Sequence, residues 1–401
     1  MKVHNFALNI LWFLAAVTWV RSSPQGRSTS VTTTSLIIKH GYPVEEHKVQ
    51  TSDGYILTMH RIPYSPNLNN NDEERPVAFL MHGLLCSSSD WVLGGPGRGL
   101  AYVLSEAGFD VWMGNARGTT YCKKHASKSA LLQPFWNFSW HEIGIYDLPA
   151  MIDYTLYMTG AEDLRYIAHS QGTTAYLVLN SMIPRFKNRI RSAHLLAPVA
   201  YVENMKGPLP KLAGPVLGQP NAFVEVFGSA EFLPNTKGME LLGAVACRDE
   251  SHVQVICSNV IFLIGGWNSP HLNESMLPEI MATTPAGCSI NQIQHYLQEY
   301  NSGEFRQFDY GKSRNKKTYG SKKPTEYNLE AIDVPTYLYY SDNDNFVSLV
   351  DVVRLIYGLK PETLKRAYRL PYPKWNHIDF LWGIDVETIV YDVVMEDIAN
   401  S

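Results

Sequence analysis

Cysteine is scarce in this 401-residue chain, with five residues at positions 86, 122, 247, 257 and 288. So few cannot build a disulfide scaffold, and stability must come from a core, for which 45% apolar residues suffice. The odd count leaves at least one thiol unpaired. Cys247 and Cys257 are close in sequence and are the pair expected to bridge, because a short loop closes at little entropic cost. A basic excess is also missing. The formal charge is −4, and it becomes −6 once the first 23 residues, with Lys2 and Arg21, are set aside. No stripe of cations tracks phosphates, so no nucleic-acid partner is expected.

Long apolar runs are absent as well. Phe6 to Val20, interrupted only by Asn9 and Thr18, covers about 15 residues against the roughly 20 of a membrane helix, so no transmembrane span is expected. With Lys2 before it and Ser22 and Ser23 after it, the run reads as a cleaved signal peptide over residues 1–23, which directs the chain to a secreted or lysosomal address. In that compartment Asn137-Phe138-Ser139 and Asn273-Glu274-Ser275 are glycan acceptors. Metal and phosphate signatures are lacking too. His141-Glu142 has no second histidine at H-E-x-x-H spacing, no C-x-x-C pair exists, and Gly94 to Gly99 fits neither nucleotide-binding glycine pattern. No metal and no cofactor is expected.

What is present alternates. Runs of strand type, Glu45 to Gln50 and Tyr55 to Arg61, flank the turn Ser52-Asp53-Gly54 and predict a hairpin. Strands at Val77 to Met81, Phe109 to Met113, Leu164 to Ala168 and Ile190 to Ala197 then interleave with helical patterns near Gly99 to Ala107, Leu148 to Met158 and Thr173 to Met182. The order predicts an α/β fold with a mostly parallel central sheet covered by helices on both faces. From about 201 the alternation stops, and it resumes with a strand at Thr336 to Tyr340, a helix from Leu349 to Tyr357, a short strand at Ala367 to Leu370 and a closing helix from Asp385. The domain reading is a core over 24–200, an insertion over 201–325 and the rest of the core over 326–401. Within the insertion the cations Arg314, Lys316, Lys317, Lys322 and Lys323 read as a solvated loop.

One string carries chemistry by its placement. Ala168-His169-Ser170-Gln171-Gly172 ends an apolar strand and starts a helical pattern, the setting of a nucleophile elbow that lifts the Ser170 hydroxyl above the sheet edge. The elbow pattern usually starts with glycine, and here it starts with Ala168. A serine needs a base, and the base needs a carboxylate, in the chain order Ser, Asp or Glu, His. Ser341-Asp342-Asn343-Asp344 follows the strand Thr336 to Tyr340, offering two acids, and His377 follows the last strand. His82-Gly83-Leu84-Leu85 follows the strand Val77 to Met81, so the backbone N–H groups of Leu84 and Gln171 are the candidate oxyanion donors.

These segments resemble the acid lipase family of α/β-hydrolases, the gastric, lysosomal and insect digestive lipases. The likeness rests on Gly41-Tyr42-Pro43, Thr51-Ser52-Asp53-Gly54-Tyr55, His82-Gly83-Leu84-Leu85, the run Asp110 to Gly118, Tyr146 to Ala150, His169 to Thr174, Cys257-Ser258-Asn259 and Asn376 to Phe380, and it spans nearly the whole mature chain. It implies Ser170, Asp344 and His377 as a triad, with Asp344 preferred over Asp342, Leu84 and Gln171 as oxyanion donors, and a cap over the site. It departs at Ala168, at Gly265, where gastric-type relatives carry a third cysteine, and at Cys86 and Cys122, where cysteine is not expected. The expected activity is hydrolysis of fatty-acid esters, triacylglycerol or sterol ester, at a lipid–water interface. A non-catalytic lipid carrier and an esterase for small soluble esters are the alternatives; the sequence leaves the oligomeric state open.

Overall fold

The computed structural model describes residues 31–206, 219, 231–235 and 270–401. The signal-peptide reading of 1–23, the Cys247–Cys257 bridge and Gly265 lie outside the described residues.

The main sheet is built from β1 (Glu45–Gln50), β2 (Tyr55–Ile62), β3 (Val77–Met81), β4 (Asp110–Gly114), β5 (Lys124–His125), β6 (Leu164–His169), β7 (Ile190–Leu196), β10 (Thr336–Tyr340) and β11 (Leu364–Arg369). Two further strands, β8 (Glu231–Phe232) and β9 (Cys288–Ser289), form a separate antiparallel ladder. The sheet order is β1-β2-β4-β3-β6-β7-β10-β11, with β5 on β2. Only the pairings of β2 with β1, β4 and β5 are antiparallel. Among the described residues, nothing between 197 and 335 joins this sheet.

Burial explains the strand sequences. β3 and β4 are buried along their whole length, as strands covered on both faces must be, and read as nearly continuous apolar runs. The two-residue pleat sends Phe79, Met81, Tyr166 and Ala168 into the core on one face and Ala78, Leu80 and Ile167 into the core on the other. The end strands β1 (EEHKVQ) and β11 (LKRAYR) instead expose alternate side chains, and charge blunts the two open edges.

The helices follow: α1 (Thr33–Lys39), α2 (Leu100–Glu106), α3 (Leu148–Thr159), α4 (Gln171–Met182), α5 (Leu277–Thr283), α6 (Ile290–Ser302), α7 (Lys312–Tyr319), α8 (Leu349–Gly358) and α9 (Asp392–Ala399). α4 begins two residues earlier than the periodicity suggests, directly after Ser170. α7 corrects the loop reading of the basic run. It has no apolar stripe, and a single buried asparagine anchors it. Asn315 accepts from the Tyr310 N–H and donates to Asp309 and to the Lys322 carbonyl, while Tyr319 donates to the Phe308 carbonyl. Its cations do face solvent.

A buried ion network ties the hairpin to the region before α3. Arg117, 1% exposed, donates from Nε to Asp147 at 2.7 Å and from its two terminal nitrogens to Asp53 at 2.6 and 2.9 Å. Its guanidinium lies 3.9 Å from the Tyr55 ring centre. Desolvating these charges is tolerable because every one of them is paired.

Candidate active site

The parallel strands deliver the candidate residues to one edge, because each lies in the segment that follows the carboxyl end of its strand. Ser170 follows β6, His82 to Leu84 follow β3, Asp344 follows β10 and His377 follows β11. Ser170 has φ 52° and ψ −121°, a strained turn that any side chain but glycine normally avoids. Its N–H is held by the Leu196 carbonyl on β7, and its carbonyl accepts the first bonds of α4. Close approach makes the turn possible. A Cβ on Gly172 would lie 2.4 Å from the Met81 carbonyl oxygen, so glycine is required where α4 crosses the end of β3. Ala168 at the other end of the motif is accommodated, its methyl fully buried.

His377 joins the acid to the serine. Its Nδ1 lies 2.7 Å from Asp344 Oδ2 and its Nε2 lies 2.8 Å from Ser170 Oγ. Asp344 is fully buried, and its other oxygen accepts from the Phe346 and Val347 N–H groups, so the carboxylate is anchored before it meets the ring. With an acceptor carboxylate at Nδ1, the proton sits on that nitrogen and the Nε2 lone pair faces the hydroxyl. Asp342 is brought elsewhere. It forms a partly exposed ion pair with Arg369, at 2.8 and 2.5 Å.

Next to the hydroxyl, Gly83 and Leu84 are shaped by a buried imidazole. His82 Nε2 accepts from the Ala116 N–H at 3.0 Å, and His82 Nδ1 therefore donates to the Gly83 carbonyl at 2.7 Å. Burial lowers the His82 pKa to about 4, which keeps the ring neutral and able to do both. Turning the Gly83 carbonyl toward His82 sends the Leu84 N–H the opposite way. Leu85 follows with φ 62°. Neither the Leu84 nor the Gln171 N–H has a hydrogen-bond partner among the described residues, and the Gln171 N–H starts α4, where the helix dipole favours negative charge. Gln171 is itself steadied by α6, whose Gln292 donates to its side-chain oxygen at 3.1 Å. Tyr296 of the same helix contacts Thr174 Oγ1 at 3.0 Å.

His169, the last residue of β6, is not marked out by the sequence, because the partner of its imidazole is the main-chain carbonyl of His377, 208 positions away. Of the two sequons, Asn137 is exposed and Asn273 half-buried, its side-chain oxygen accepting from Ser275 Oγ at 2.7 Å. Cys86, Cys122 and Cys288 are free thiols. Among the described residues no group of three or more His, Cys, Asp or Glu is arranged to hold a metal, and no helix is long and apolar enough to cross a membrane.

Comparison with known proteins agrees across the chain. The alpha/beta hydrolase fold model matches residues 76–384, and the partial alpha/beta-hydrolase lipase region matches residues 33–95. Lipase 3 of Drosophila melanogaster is 53% identical over 360 residues, covering 90% of this chain and 91% of its own. Human gastric triacylglycerol lipase is 35% identical over 379 residues, covering 94% and 93%. A crystal structure from Sulfolobus solfataricus, 15% identical, superposes with a TM-score of 0.60 over 89% of this chain and 93% of that one, a likeness of fold alone.

Proposed function

The chain belongs to the α/β-hydrolase-fold lipases and is a carboxylic ester hydrolase, and from that premise we propose that it cleaves fatty-acid esters, triacylglycerols or sterol esters, through an acyl-enzyme on Ser170. The observation that carries this reading is the continuous relay from Asp344 through His377 to Ser170, with spans of 2.7 and 2.8 Å. His377 Nε2 takes the hydroxyl proton as Oγ attacks the ester carbonyl, and Asp344 stabilises the imidazolium that results. The Leu84 and Gln171 N–H groups receive the negative charge on the carbonyl oxygen; a donor of this kind is worth ~3 to 4 kcal/mol in the transition state. The imidazolium then protonates the departing alcohol. Water attacks the acyl-enzyme with His377 again as base, releasing the fatty acid and restoring Ser170.

Residues 201–325 act as a cap that shields this step from bulk water and receives acyl chains, a role favoured by α6 resting on Gln171 and Thr174. The chain enters the secretory pathway by removal of residues 1–23, bears glycans at Asn137 and Asn273, and closes Cys247 to Cys257 within the cap. A triolein emulsion compared with a soluble short-chain ester tests the substrate class, with Ser170→Ala as control. Wild-type hydrolysis of the emulsion that is lost in the variant is the expected result. Turnover of the soluble ester alone would make the protein an esterase.

A further inference from the structure

None of the steps above uses the imidazole that precedes Ser170. His169 ends β6, is 2% exposed, and places Nε2 2.8 Å from the main-chain carbonyl oxygen of His377. A carbonyl can only accept, so the proton of this bond is on Nε2. Burial first, and then the His377 ring centred 4.8 Å away, hold the His169 pKa well below its ordinary value, so the ring is neutral. Its Nδ1 has no hydrogen-bond partner among the described residues. A buried unpaired nitrogen is unfavourable, and an apolar side chain would fill the space without it. The single bond to His377 is what a histidine supplies here and an apolar residue does not.

The location of that bond gives it a purpose. His377 lies beyond β11, and β7 and β10 separate β11 from β6 in the sheet. Each ring nitrogen of His377 is engaged, by Asp344 and by Ser170, but a ring is only as well placed as its backbone. We propose that His169 is a positioning residue, whose Nε2–H ties the His377 main chain to the strand that carries the nucleophile and so sets the reach from base to serine. The inference rests on the reading of Ser170 and His377 as nucleophile and base. Gly83 is in keeping with it, since a Cβ there would lie 3.2 Å from His169 Nδ1 and 3.1 Å from Ser170 Cβ. The ring is wedged between the Gly83 turn and the elbow.

Three substitutions separate a donor from a space-filler. In His169→Gln the amide nitrogen stands as many bonds from Cβ as Nε2 does; in His169→Asn it is one bond short; His169→Phe keeps a ring without a donor. With a soluble short-chain ester, Phe and Asn are expected to lower kcat about tenfold or more with KM within about twofold, and Gln to recover most of the loss. The low-field proton resonance of His377 Nδ1–H, which needs no turnover, should broaden or move in Phe and Asn and return in Gln. Equal kcat and an unchanged resonance in all three would overturn the proposal, and so would equal losses in all three accompanied by a lower melting temperature. Should the wild type neither turn over esters nor label with a fluorophosphonate, the catalytic reading fails, and the resonance alone still decides whether His169 holds His377.

Discussion

Replacing Gly172 by alanine asks a methyl group to enter the contact between α4 and the end of β3. The new Cβ would lie 2.4 Å from the Met81 carbonyl oxygen and 2.9 Å from that of His82, where ordinary contact begins at 3.4 Å. The obstacle is main chain on a central strand and cannot rotate aside, so α4 must retreat by about 1 Å to reach an ordinary contact. Overpacking of this kind costs ~1 to 3 kcal/mol of stability. A functional loss should come on top of it. Gln171 is the residue before Gly172, and Leu84 lies two residues after His82, so the same retreat opens the gap between the two proposed oxyanion donors. A displacement of ~1 Å at a reacting centre is worth ~10²-fold in rate, or about 2.7 kcal/mol. Steady-state kinetics on a soluble ester and a thermal melt, run side by side, provide the assay. Activity within about threefold of wild type and an unshifted melt would refute the idea that this contact sets the donor spacing. Ala168→Gly is the complementary case. It removes a fully buried methyl from a strand, so it should cost ~1 kcal/mol in the melt while leaving turnover close to wild type.

Asp344→Asn should lower kcat by ~10⁴-fold, because an amide no longer enforces the Nδ1–H tautomer of His377, whereas Asp342→Asn should leave activity nearly intact and loosen only a surface ion pair; kinetics on the two variants would show the reverse if the roles were exchanged. Burial pushes the Asp90 carboxyl up to about 6, so between about pH 4 and pH 6 the folded state binds more protons than the unfolded chain, and stability falls as pH rises through that window. This contributes up to ~3 kcal/mol, and Asp90→Asn should remove that share of the slope in melts taken from pH 4 to 7. Arg117→Met strands Asp147 in the core and should cost ~3 to 5 kcal/mol by denaturant titration, while Arg185→Met, whose ion pair with Asp153 is exposed, should cost at most ~1 kcal/mol. If cap residues receive acyl chains, kcat/KM should climb from butyrate to longer esters, at ~0.8 kcal/mol per buried CH₂, and a flat series would count against that groove.

Parallel strands are legible because burial on both faces writes them as apolar runs, and Thr336 to Tyr340 begins and ends where its pattern does. The elbow is legible for a related reason, since a strand, a small-residue turn and a helix can meet in few ways. Two features were not. Nothing in the run from Lys312 to Tyr319 is amphipathic, and α7 forms because the buried amide of Asn315 satisfies main-chain groups at both ends, a side-chain to main-chain condition that periodicity does not encode. The preference for Asp344 over Asp342 rests on the family resemblance, and their neighbours give its physical reason. Arg369 on β11 captures the first, while two N–H groups of the following turn fix the second beneath His377. His169 escapes notice because its partner is a main-chain carbonyl 208 positions away.

The central claim is that Ser170 forms the covalent bond. Treating the full chain with a fluorophosphonate probe and mapping the modified peptide by mass spectrometry tests it directly. Labelling confined to Ser170, slowed by Asp344→Asn and absent in Ser170→Ala, is the predicted result, and ester hydrolysis that persists in Ser170→Ala or a label on another residue would contradict it.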